Sequence, residues 1–329
     1  MVVCGYTLIG SMSKNSYKSK VFLMCVFLAL ISFTFIAFLP AFAVEPKISL
    51  VLGGGGSRGG AHIGVLKVLE EEGIHIDYIV GTSVGSLVGA LYAGGLTPKE
   101  IEDLALKGTI KKIYKTRFPV FRTLLLPFTK LVYKIRKKGY YAGLYGDFKL
   151  RNYINNTIIE KQGNLKTKIP FNAVSVDLIS GDRVILDIDD IGLAVQASTA
   201  IPGLRKPIRY EDKLLVDGGV IDNVPVEEAC KMHSDIIIIV DIDPSTEICS
   251  YADFSTYEKV LTRAFNINLI AQSEEKLKWA DVVITPKVLN IVVLDFNKDT
   301  LLGAIKAGEE AAREMIIDIK NLIKERSYN

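Results

Sequence analysis

The sequence predicts an α/β protein of three layers, in which a mostly parallel central sheet carries helices on both faces. Three observations predict it: a strand–helix–strand unit near residue 47, further short apolar runs, and helical segments between them. The chain has 329 residues, of which 49% are hydrophobic and 23% charged, a balance typical of a globular protein that buries a large core. Only one uncharged stretch reaches bilayer-spanning length, which excludes a polytopic membrane protein.

The strand–helix–strand unit begins the chain body. Lys47–Leu52 is a short apolar strand, Gly53–Gly60 is a glycine loop, and Ala61–Glu72 is an amphipathic helix that ends at a glycine. Asp77–Gly81 is a second apolar strand, and the small residues of Ser86–Ala93 form the next helix. A connection of this kind joins two parallel strands by a right-handed crossover.

The rest of the chain continues the same sheet. Ile236–Val240 is apolar at every position, as expected of a strand that is covered on both faces. No repeat, low-complexity tract or linker interrupts residues 47–329, so one domain is the simplest interpretation. The further predicted strands are Phe171–Val176, Arg183–Asp187, Lys213–Val216, Asp235–Asp241 and Asp281–Pro286, and the further helices are Thr97–Leu106, Val224–Met232, Tyr257–Lys278 and Thr300–Lys324.

Residues 1–43 have the pattern of a secretory signal peptide. Three lysines between Lys14 and Lys20 precede an uncharged stretch, Val21–Val44, which contains the small-x-small sequence Ala41-Phe42-Ala43. We expect cleavage after Ala43. An uncleaved anchor formed by residues 21–43 is the alternative, because the apolar stretch is longer than an ordinary signal core. In both cases the positive end stays inside, so we expect the body in the periplasm, the cell envelope or the medium.

Charge and cysteine usage bear on partners and compartment. The net charge is +3. Residues 1–43, the leader, supply all of it, so residues 44–329, the body of the chain, carry no net charge. A protein that depends on nucleic acid usually carries a basic surplus in its body, and none is expected as a partner here. Cys230 and Cys249 are the two cysteines outside the leader. They form one disulfide in an oxidising compartment or remain two thiols, and the sequence leaves both open.

Gly81-Thr82-Ser83-Val84-Gly85 matches G-x-S-x-G, the pattern of a nucleophile elbow. Glycine is needed at its first and last positions, Gly81 and Gly85, because a larger side chain would block the approach of strand and helix. The pattern alone arises by chance, but here it stands between an apolar strand and a helix of small residues. It predicts Ser83 as a nucleophile, with a helix N-cap as the alternative role.

The glycine loop also follows a strand and opens a helix, so its backbone N–H groups form an anion site. One candidate anion is a nucleotide phosphate. The P-loop pattern is not met, whereas G-x-G-x-x-G fits loosely, with Asp77 as its acid. The other candidate is the oxyanion of acyl transfer. Two consecutive parallel strands place this loop and the serine at one edge of the sheet, which favours acyl transfer.

The chain offers few general bases to such a serine. His62 starts the first helix, His75 lies before the second strand, and His233 lies at the expected opposite edge, so none of the three is well placed. A carboxylate is then required. The best candidate is Asp217, at the C-terminal end of a strand and followed by Gly218-Gly219, although Asp-Gly-Gly is also an ordinary turn.

These blocks together resemble the patatin-like phospholipases. Gly54-Gly55-Gly56-Ser57-Arg58-Gly59 is similar to the family's G-G-G-x-[KR]-G loop, and Gly81–Gly85 is similar to its serine elbow. Asp217-Gly218-Gly219, with Asn223 and Pro225 downstream, resembles its D-G-[GA] block, and Ala197–Pro202 resembles a further family segment. The likeness covers residues 47–230, and the order and spacing of three blocks make it specific.

The resemblance implies a Ser83–Asp217 dyad without histidine, and lipid acyl hydrolase activity of the phospholipase A or lysophospholipase type. It implies no metal and no cofactor. The oxyanion hole falls on Gly54, Gly55, Gly56, Ser57, Arg58 and Gly59, foremost on the N–H groups of Gly55 and Gly56, while Gly218 and Gly219 support the acid. Arg58 either binds a head-group phosphate or holds the loop in shape. A catalytically silent nucleotide- or lipid-binding protein on the same fold is the alternative function.

Residues 104–146 form a basic amphipathic insert that the family pattern does not fix. It contains eleven Lys or Arg and no acid, interleaved with aromatic and aliphatic side chains. Such a segment suits an anionic membrane surface, and its position after the elbow helix predicts a place near the mouth of the site. Nucleic-acid binding, which export argues against, and a solvated cap are the alternatives.

Overall fold

The computed structural model describes residues 22–24, 26–27, 45–109, 149–243, 250–289, 291, 293 and 295–327. Most of the leader, residues 110–146 of the basic insert, and Cys249 lie outside the described residues, so what the sequence predicts for them stays a prediction. The chain divides into two compact units, Met1–Val44 and Glu45–Asn329. In the first, the described residues are helical. Among all described residues, no helix combines the length and the apolar character that crossing a bilayer requires.

Strands and helices alternate along the second unit. The strands are β1 (Ile48–Leu52), β2 (Tyr78–Thr82), β3 (Phe171–Asp177), β4 (Arg183–Leu186), β5 (Ile208–Tyr210), β6 (Lys213–Asp217), β7 (Ile236–Val240) and β8 (Val282–Ile284). The α-helices in the described part of the unit are α1 (Gly60–Glu71), α2 (Val84–Ala93), α3 (Pro98–Leu106), α4 (Lys149–Gln162), α5 (Ile191–Ser198), α6 (Val226–Lys231), α7 (Tyr257–Leu277) and α8 (Lys298–Arg326).

The strands form one mixed sheet in the order β5-β6-β3-β2-β1-β7-β8, with β4 paired to β3 outside this path. The pairings among β3, β2, β1, β7 and β8 are all parallel. The pairings of β3 with β4 and β6, and of β5 with β6, are antiparallel. The predicted α/β fold with a mostly parallel central sheet is confirmed, and the antiparallel strands gather at one side of it.

Helices cover both faces of this sheet because the side chains of each strand alternate between two cores. Leu50 and Leu52 of β1 enter the larger core, to which α1, α2, α3, α4, α5 and α8 contribute. Val51, between them, enters the smaller core on the opposite face, with residues of α6 and the end of α7 packed there. Every residue of β1, β2, β3 and β7 is buried, as the run Ile236–Val240 predicts.

The sequence patterns predict neither α4, nor α5, nor β5. Helix α4 is largely polar, and its buried residues, Leu150, Ile154 and Ile158, form a single narrow stripe. Helix α5 has a local signal, because the Asp190 carboxylate accepts a hydrogen bond from Leu193 N at 3.0 Å and caps the first turn. Strand β5 has only three residues, too few for a periodic pattern.

Helix α8 lies so close to α1 that only glycine fits at their crossing. A Cβ added to Gly64 of α1 would lie 2.0 Å from the Ile305 carbonyl oxygen, and one added to Gly308 of α8 would lie 2.0 Å from the Ala61 carbonyl oxygen. Since α1 begins where the glycine loop ends, α8 holds the helix that carries this loop.

Two alanine substitutions in α8 test this crossing. Gly308→Ala should lower the free energy of unfolding, because the helices must separate to admit the methyl group. Gly303→Ala is the matched control, since no atom lies within 4 Å of its added Cβ. That change should raise the free energy of unfolding by up to about 1 kcal/mol through helix propensity. Chemical denaturation measures both, and equal effects would contradict the close crossing.

Candidate active site

Ser83 stands at a sharp turn between β2 and α2, in a backbone conformation that L-residues rarely adopt. Its φ is 53° and its ψ is −122°, and such strain persists only where the surroundings enforce it. A Cβ added to Gly81 would lie 2.5 Å from the Gly85 carbonyl carbon, and one added to Gly85 would lie 2.1 Å from the Leu52 carbonyl oxygen. The two glycines of the motif therefore allow the strand, the turn and the helix to approach each other.

The Ser83 hydroxyl donates a hydrogen bond to Asp217 Oδ2 at 2.7 Å. The two residues come from positions 134 apart in the chain, and the sheet register aligns them. Thr82 pairs with Val174 of β3, and Ser175, the next residue, pairs with Asp217. Ser83 is 9% exposed and Asp217 is 4% exposed, so this contact is shielded from bulk water.

Asp217 is the last residue of β6. The backbone of the next residue, Gly218, lies close to the backbone of Val174 in β3. A Cβ added to Gly218 would lie 2.5 Å from the Val174 carbonyl oxygen, so glycine is required there. The second glycine, Gly219, donates its N–H to Asp217 Oδ1 at 2.9 Å. Each carboxylate oxygen therefore accepts one hydrogen bond, and the orientation of the carboxylate is fixed.

The end of α5 braces both residues. Ser83 N–H donates to Ser198 Oγ at 3.0 Å, and Asp217 N–H donates to the Ala200 carbonyl oxygen at 3.0 Å. These residues belong to Ala197–Pro202, the segment that the family resemblance singles out without a role. One short segment thus fixes the backbones of the serine and of the acid.

Burial raises the pKa of Asp217 to about 6. The hydrogen bonds from the Ser83 hydroxyl and from Gly219 N–H favour the ionised carboxylate and offset part of this rise. The carboxylate is therefore ionised at neutral pH and is more basic than an exposed one, whose pKa is about 3.9.

The glycine loop passes directly over Ser83. A Cβ added to Gly54 would lie 3.3 Å from Ser83 Cβ. The amide of Gly54 donates to the Asn223 carbonyl oxygen, that of Ser57 to the Val293 carbonyl oxygen, and that of Arg58 to the Gly55 carbonyl oxygen. Gly54, Ser57 and Arg58 therefore use their N–H groups within the loop framework. The amides of Gly55 and Gly56 donate to no backbone carbonyl within the described residues, so the predicted oxyanion hole narrows to these two.

Gly59 lies farther along the loop and packs against the residue after the serine. A Cβ there would lie 2.2 Å from Val84 Cγ2. Its contribution is thus to bring the start of α1 against the elbow helix.

Arg58 is held inside the protein behind the loop. It is 5% exposed, and its Nε donates to the Ile291 carbonyl oxygen at 3.1 Å. Burial lowers the pKa of the Arg58 guanidinium, and the charge of Asp243 opposes that shift. These contacts favour the loop-supporting role for Arg58 over the binding of a head-group phosphate.

Asn223 connects the loop to Asp243, a half-buried acid. Its Nδ2 donates to the Gly54 carbonyl oxygen at 3.3 Å and to Asp243 Oδ1 at 2.6 Å, and Ser273 Oγ donates to Asp243 Oδ2 at 2.7 Å. Burial raises the pKa of Asp243 despite these bonds and the nearby charge of Arg58. The sequence prediction includes Asn223 only through the family resemblance and misses Asp243. Asp243 lies shortly after the buried parallel strand β7, a position that it shares with other polar residues, so the sequence gives no specific signal for it.

The histidines do not contact the Ser83–Asp217 pair. His62 is fully buried, and its Nε2 donates to the Gly53 carbonyl oxygen at 2.8 Å. Burial lowers the pKa of His62 to about 4, so the ring is neutral at pH 7 and supports the loop. His75 precedes β2 and His233 precedes β7, which places both at the opposite edge of the sheet.

Asp77 is not placed to serve as the acid of a dinucleotide site at the glycine loop. Asp77 precedes β2, and its Oδ2 accepts a hydrogen bond from Ile48 N at 2.8 Å. Asp77 therefore lies at the edge where β1 begins, whereas the glycine loop lies where β1 ends. In the described part of the chain, no three His, Cys, Asp or Glu side chains gather as a metal site requires, and independence from a cofactor stays a prediction.

A family model described as Patatin-like phospholipase matches residues 50–230, and the chain belongs to the patatin-like phospholipase family. Lysophospholipase NTE1 of Meyerozyma guilliermondii is 34% identical to it over 210 aligned positions, and the alignment covers 59% of this chain and 12% of the relative. An NTE family protein of Mycobacterium bovis, described as uncharacterized, is 28% identical over 302 aligned positions, and the alignment covers 84% of this chain and 48% of the relative. The chain thus spans less than half of either relative.

Two solved structures are similar in fold. VipD from Legionella pneumophila has a TM-score of 0.46 at 14% identity, over 86% of this chain and 67% of that one. Human GIVD cytosolic phospholipase A2 has a TM-score of 0.46 at 11% identity, over 86% of this chain and 60% of that one.

The raised pKa of Asp217 predicts how stability depends on pH. In the folded state this carboxyl holds its proton up to about pH 6, and in the unfolded state only to about pH 3.9. Its ionisation therefore destabilises the fold increasingly as pH rises through this window. The free energy of unfolding of Asp217→Asn minus that of the wild type should grow by on the order of 2 kcal/mol between about pH 4 and about pH 7.5.

Denaturant titrations at several pH values measure this difference. Asp212→Asn is the matched control, because the Asp212 side chain is 87% exposed and the change removes the same charge. A difference for Asp217→Asn that stays constant with pH, or that follows the control, would contradict the buried carboxylate.

Proposed function

We propose that this protein is a lipid acyl hydrolase in which Ser83 and Asp217 form a catalytic dyad. The observation that carries the proposal is the 2.7 Å hydrogen bond from the hydroxyl of a strained elbow serine to a buried carboxylate. Membership of the patatin-like phospholipase family supports the class of reaction. The proposed substrates are fatty-acyl esters of phospholipids or lysophospholipids, and the similarity to Lysophospholipase NTE1 of Meyerozyma guilliermondii supports the latter.

The proposed reaction proceeds through an acyl-enzyme. Ser83 Oγ attacks the ester carbonyl carbon while Asp217 Oδ2 takes the hydroxyl proton. When the tetrahedral intermediate collapses, the ester C–O bond breaks and Asp217 returns that proton to the departing alcohol. Water then attacks the acyl-enzyme and passes a proton to Asp217, and Ser83 regains its proton as the fatty acid leaves.

The geometry suits each partner of this step. The backbone of the serine exposes its Oγ above the sheet edge, and burial makes Asp217 a stronger base than an exposed carboxylate. The N–H groups of Gly55 and Gly56 are proposed to hold the negative oxygen of the tetrahedral intermediate. Loss of one such donor typically costs about 3 kcal/mol of transition-state stabilisation.

The second candidate function is a silent lipid-binding protein on the same fold. A protein with an unreactive Ser83 would bind lipid, but a fluorophosphonate would not label it. Only an activated hydroxyl displaces fluoride from phosphorus. Labelling at Ser83, located by mass spectrometry, separates the two functions before a natural substrate is known.

Substitutions at the dyad test the mechanism. Ser83→Ala and Asp217→Asn should each abolish hydrolysis of p-nitrophenyl esters and labelling by the fluorophosphonate, while near-UV circular dichroism stays that of the wild type. In the wild type, kcat/KM should rise with pH and level off above about pH 6, because Asp217 must be ionised to accept the proton.

Histidine variants are the controls for this mechanism. His75 and His233 lie at the edge of the sheet opposite the Ser83–Asp217 pair. The His75→Ala and His233→Ala variants should therefore retain turnover within a few-fold of the wild type. A loss at either position comparable to that of Ser83→Ala, or full activity in Asp217→Asn, would refute the proposed dyad.

We also propose that the basic insert docks the enzyme on anionic membranes. Each cation near such a surface contributes about 1 kcal/mol, and salt weakens the attraction. Changing Lys134, Arg136, Lys137 and Lys138 to Gln should lower turnover on anionic vesicles and spare soluble short-chain esters.

The control is the same change at four exposed lysines of α8: Lys298, Lys306, Lys320 and Lys324. It should leave vesicle turnover unchanged. Equal loss of both activities in the insert variant would mean that the segment supports the fold, and no loss would identify a solvated cap.

A further inference from the structure

A short linking segment, residues 218–223, joins the acid of the dyad to the glycine loop. It starts directly after the acid and ends at Asn223, whose carbonyl oxygen accepts the Gly54 N–H at 3.2 Å. The Asp222 carbonyl oxygen accepts a hydrogen bond from Thr82 Oγ1 at 2.8 Å. Since Thr82 precedes the serine, the linking segment connects the acid, the serine turn and the loop.

Helix α7 packs against the linking segment and donates hydrogen bonds to it from two side chains. Gln272 Nε2 donates to the Val220 carbonyl oxygen at 3.1 Å. Lys276 Nζ donates to Asp222 Oδ1 at 2.5 Å. Because residues four apart lie on the same face of a helix, one face of α7 supplies both contacts.

Two further residues of this face make contacts in the same region. Ser273 Oγ donates to Asp243 Oδ2 at 2.7 Å, and the other oxygen of this carboxylate accepts the Asn223 side-chain amide. Leu269 is buried, and a Cβ added to Gly219 would lie 3.8 Å from its Cδ2. The face of α7 therefore contacts the linking segment near its start and, through Asp243, at its end.

The Asp222 side chain is the centre of a buried ion cluster. It is 1% exposed, and Arg183 Nη1 of β4 lies 2.8 Å from its Oδ2. Lys276 binds its other oxygen, and Glu227 pairs with Arg183 at 2.8 Å. Removing such charges from water costs free energy that their attraction regains only in part, so a buried ion cluster is weak evidence for stability. What the cluster does fix is the position of the Asp222 backbone, which accepts the Thr82 hydroxyl.

We propose that α7 positions the dyad, and that Gln272, Ser273 and Lys276 are positioning residues for the proposed reaction. The proposal rests on the proposed function, because it concerns the geometry that the reaction needs. The family model matches residues 50–230 and α7 begins at Tyr257, so the family match gives this helix no role. A small displacement of reacting groups lowers the rate strongly, and the linking segment would transmit such a displacement to both members of the dyad.

Substitutions at Lys276 are the first test. Lys276→Met removes the charge that holds Asp222 and should lower kcat for p-nitrophenyl butyrate by about tenfold. KM should stay within about twofold, because the loss falls on the transition state. Lys276→Arg keeps a cation at this position and should recover most of kcat. Lys278→Met is the matched control, since the Lys278 side chain is 64% exposed and pairs only with the exposed Glu275 among its described contacts, and its kcat should equal that of the wild type.

Hydrogen exchange tests the positioning without using activity. The amides of Ile221 and Asp222 donate to the Gly218 carbonyl oxygen, so they exchange only when the linking segment opens. Exchange of a peptide that contains residues 218–223 should be about fivefold faster in Lys276→Met than in the wild type or in Lys278→Met.

The outcomes separate this proposal from the proposed function. A wild-type kcat in Lys276→Met, a raised KM with unchanged kcat, no recovery in Lys276→Arg, or unchanged exchange would each overturn the positioning role. A wild type that neither hydrolyses esters nor reacts with a fluorophosphonate, together with faster exchange in Lys276→Met, would refute the enzyme and keep α7 as the support of the linking segment. If thermal melts show that Lys276→Met does not fold, Gln272→Leu, which removes the hydrogen bond to Val220, decides by the same two measurements.

Discussion

The close contact between the end of β1 and the first turn of α2 is the constraint on which the site depends. Gly85 approaches the Leu52 carbonyl so closely that a methyl group would lie 2.1 Å from its oxygen. This approach forces the turn at Ser83 into its positive φ and brings the serine under the glycine loop that follows Leu52. One backbone contact therefore fixes both the direction of the hydroxyl and its distance from the loop amides.

The same region contains several groups that destabilise the fold, and their neighbours compensate only in part. A strained serine, a buried Asp217, a buried Asp241 and a half-buried Asp243 lie at one edge of the sheet. Burial and the charge of Asp243 raise the pKa of Asp241 to about 7. The segment at the end of α5 and the Asn223 side chain hold these groups in place by hydrogen bonds. The fold thus loses stability where these groups are held in place, and the proposed mechanism would use that preorganisation to stabilise the oxyanion.

The sequence predicts those parts of the site whose chemistry is local. Gly81, Gly85 and Gly218 stand where backbones touch, and a motif of a few residues reveals each of them. Asp243 and Ser198 contribute through contacts between distant segments, and neither has a local pattern that distinguishes it from other polar residues after a strand or a helix. The elements show the same division. The run Ile236–Val240 is evident because both faces are covered, whereas α4 buries only Leu150, Ile154 and Ile158 on one face of a largely polar helix, which is a weak signal in the sequence.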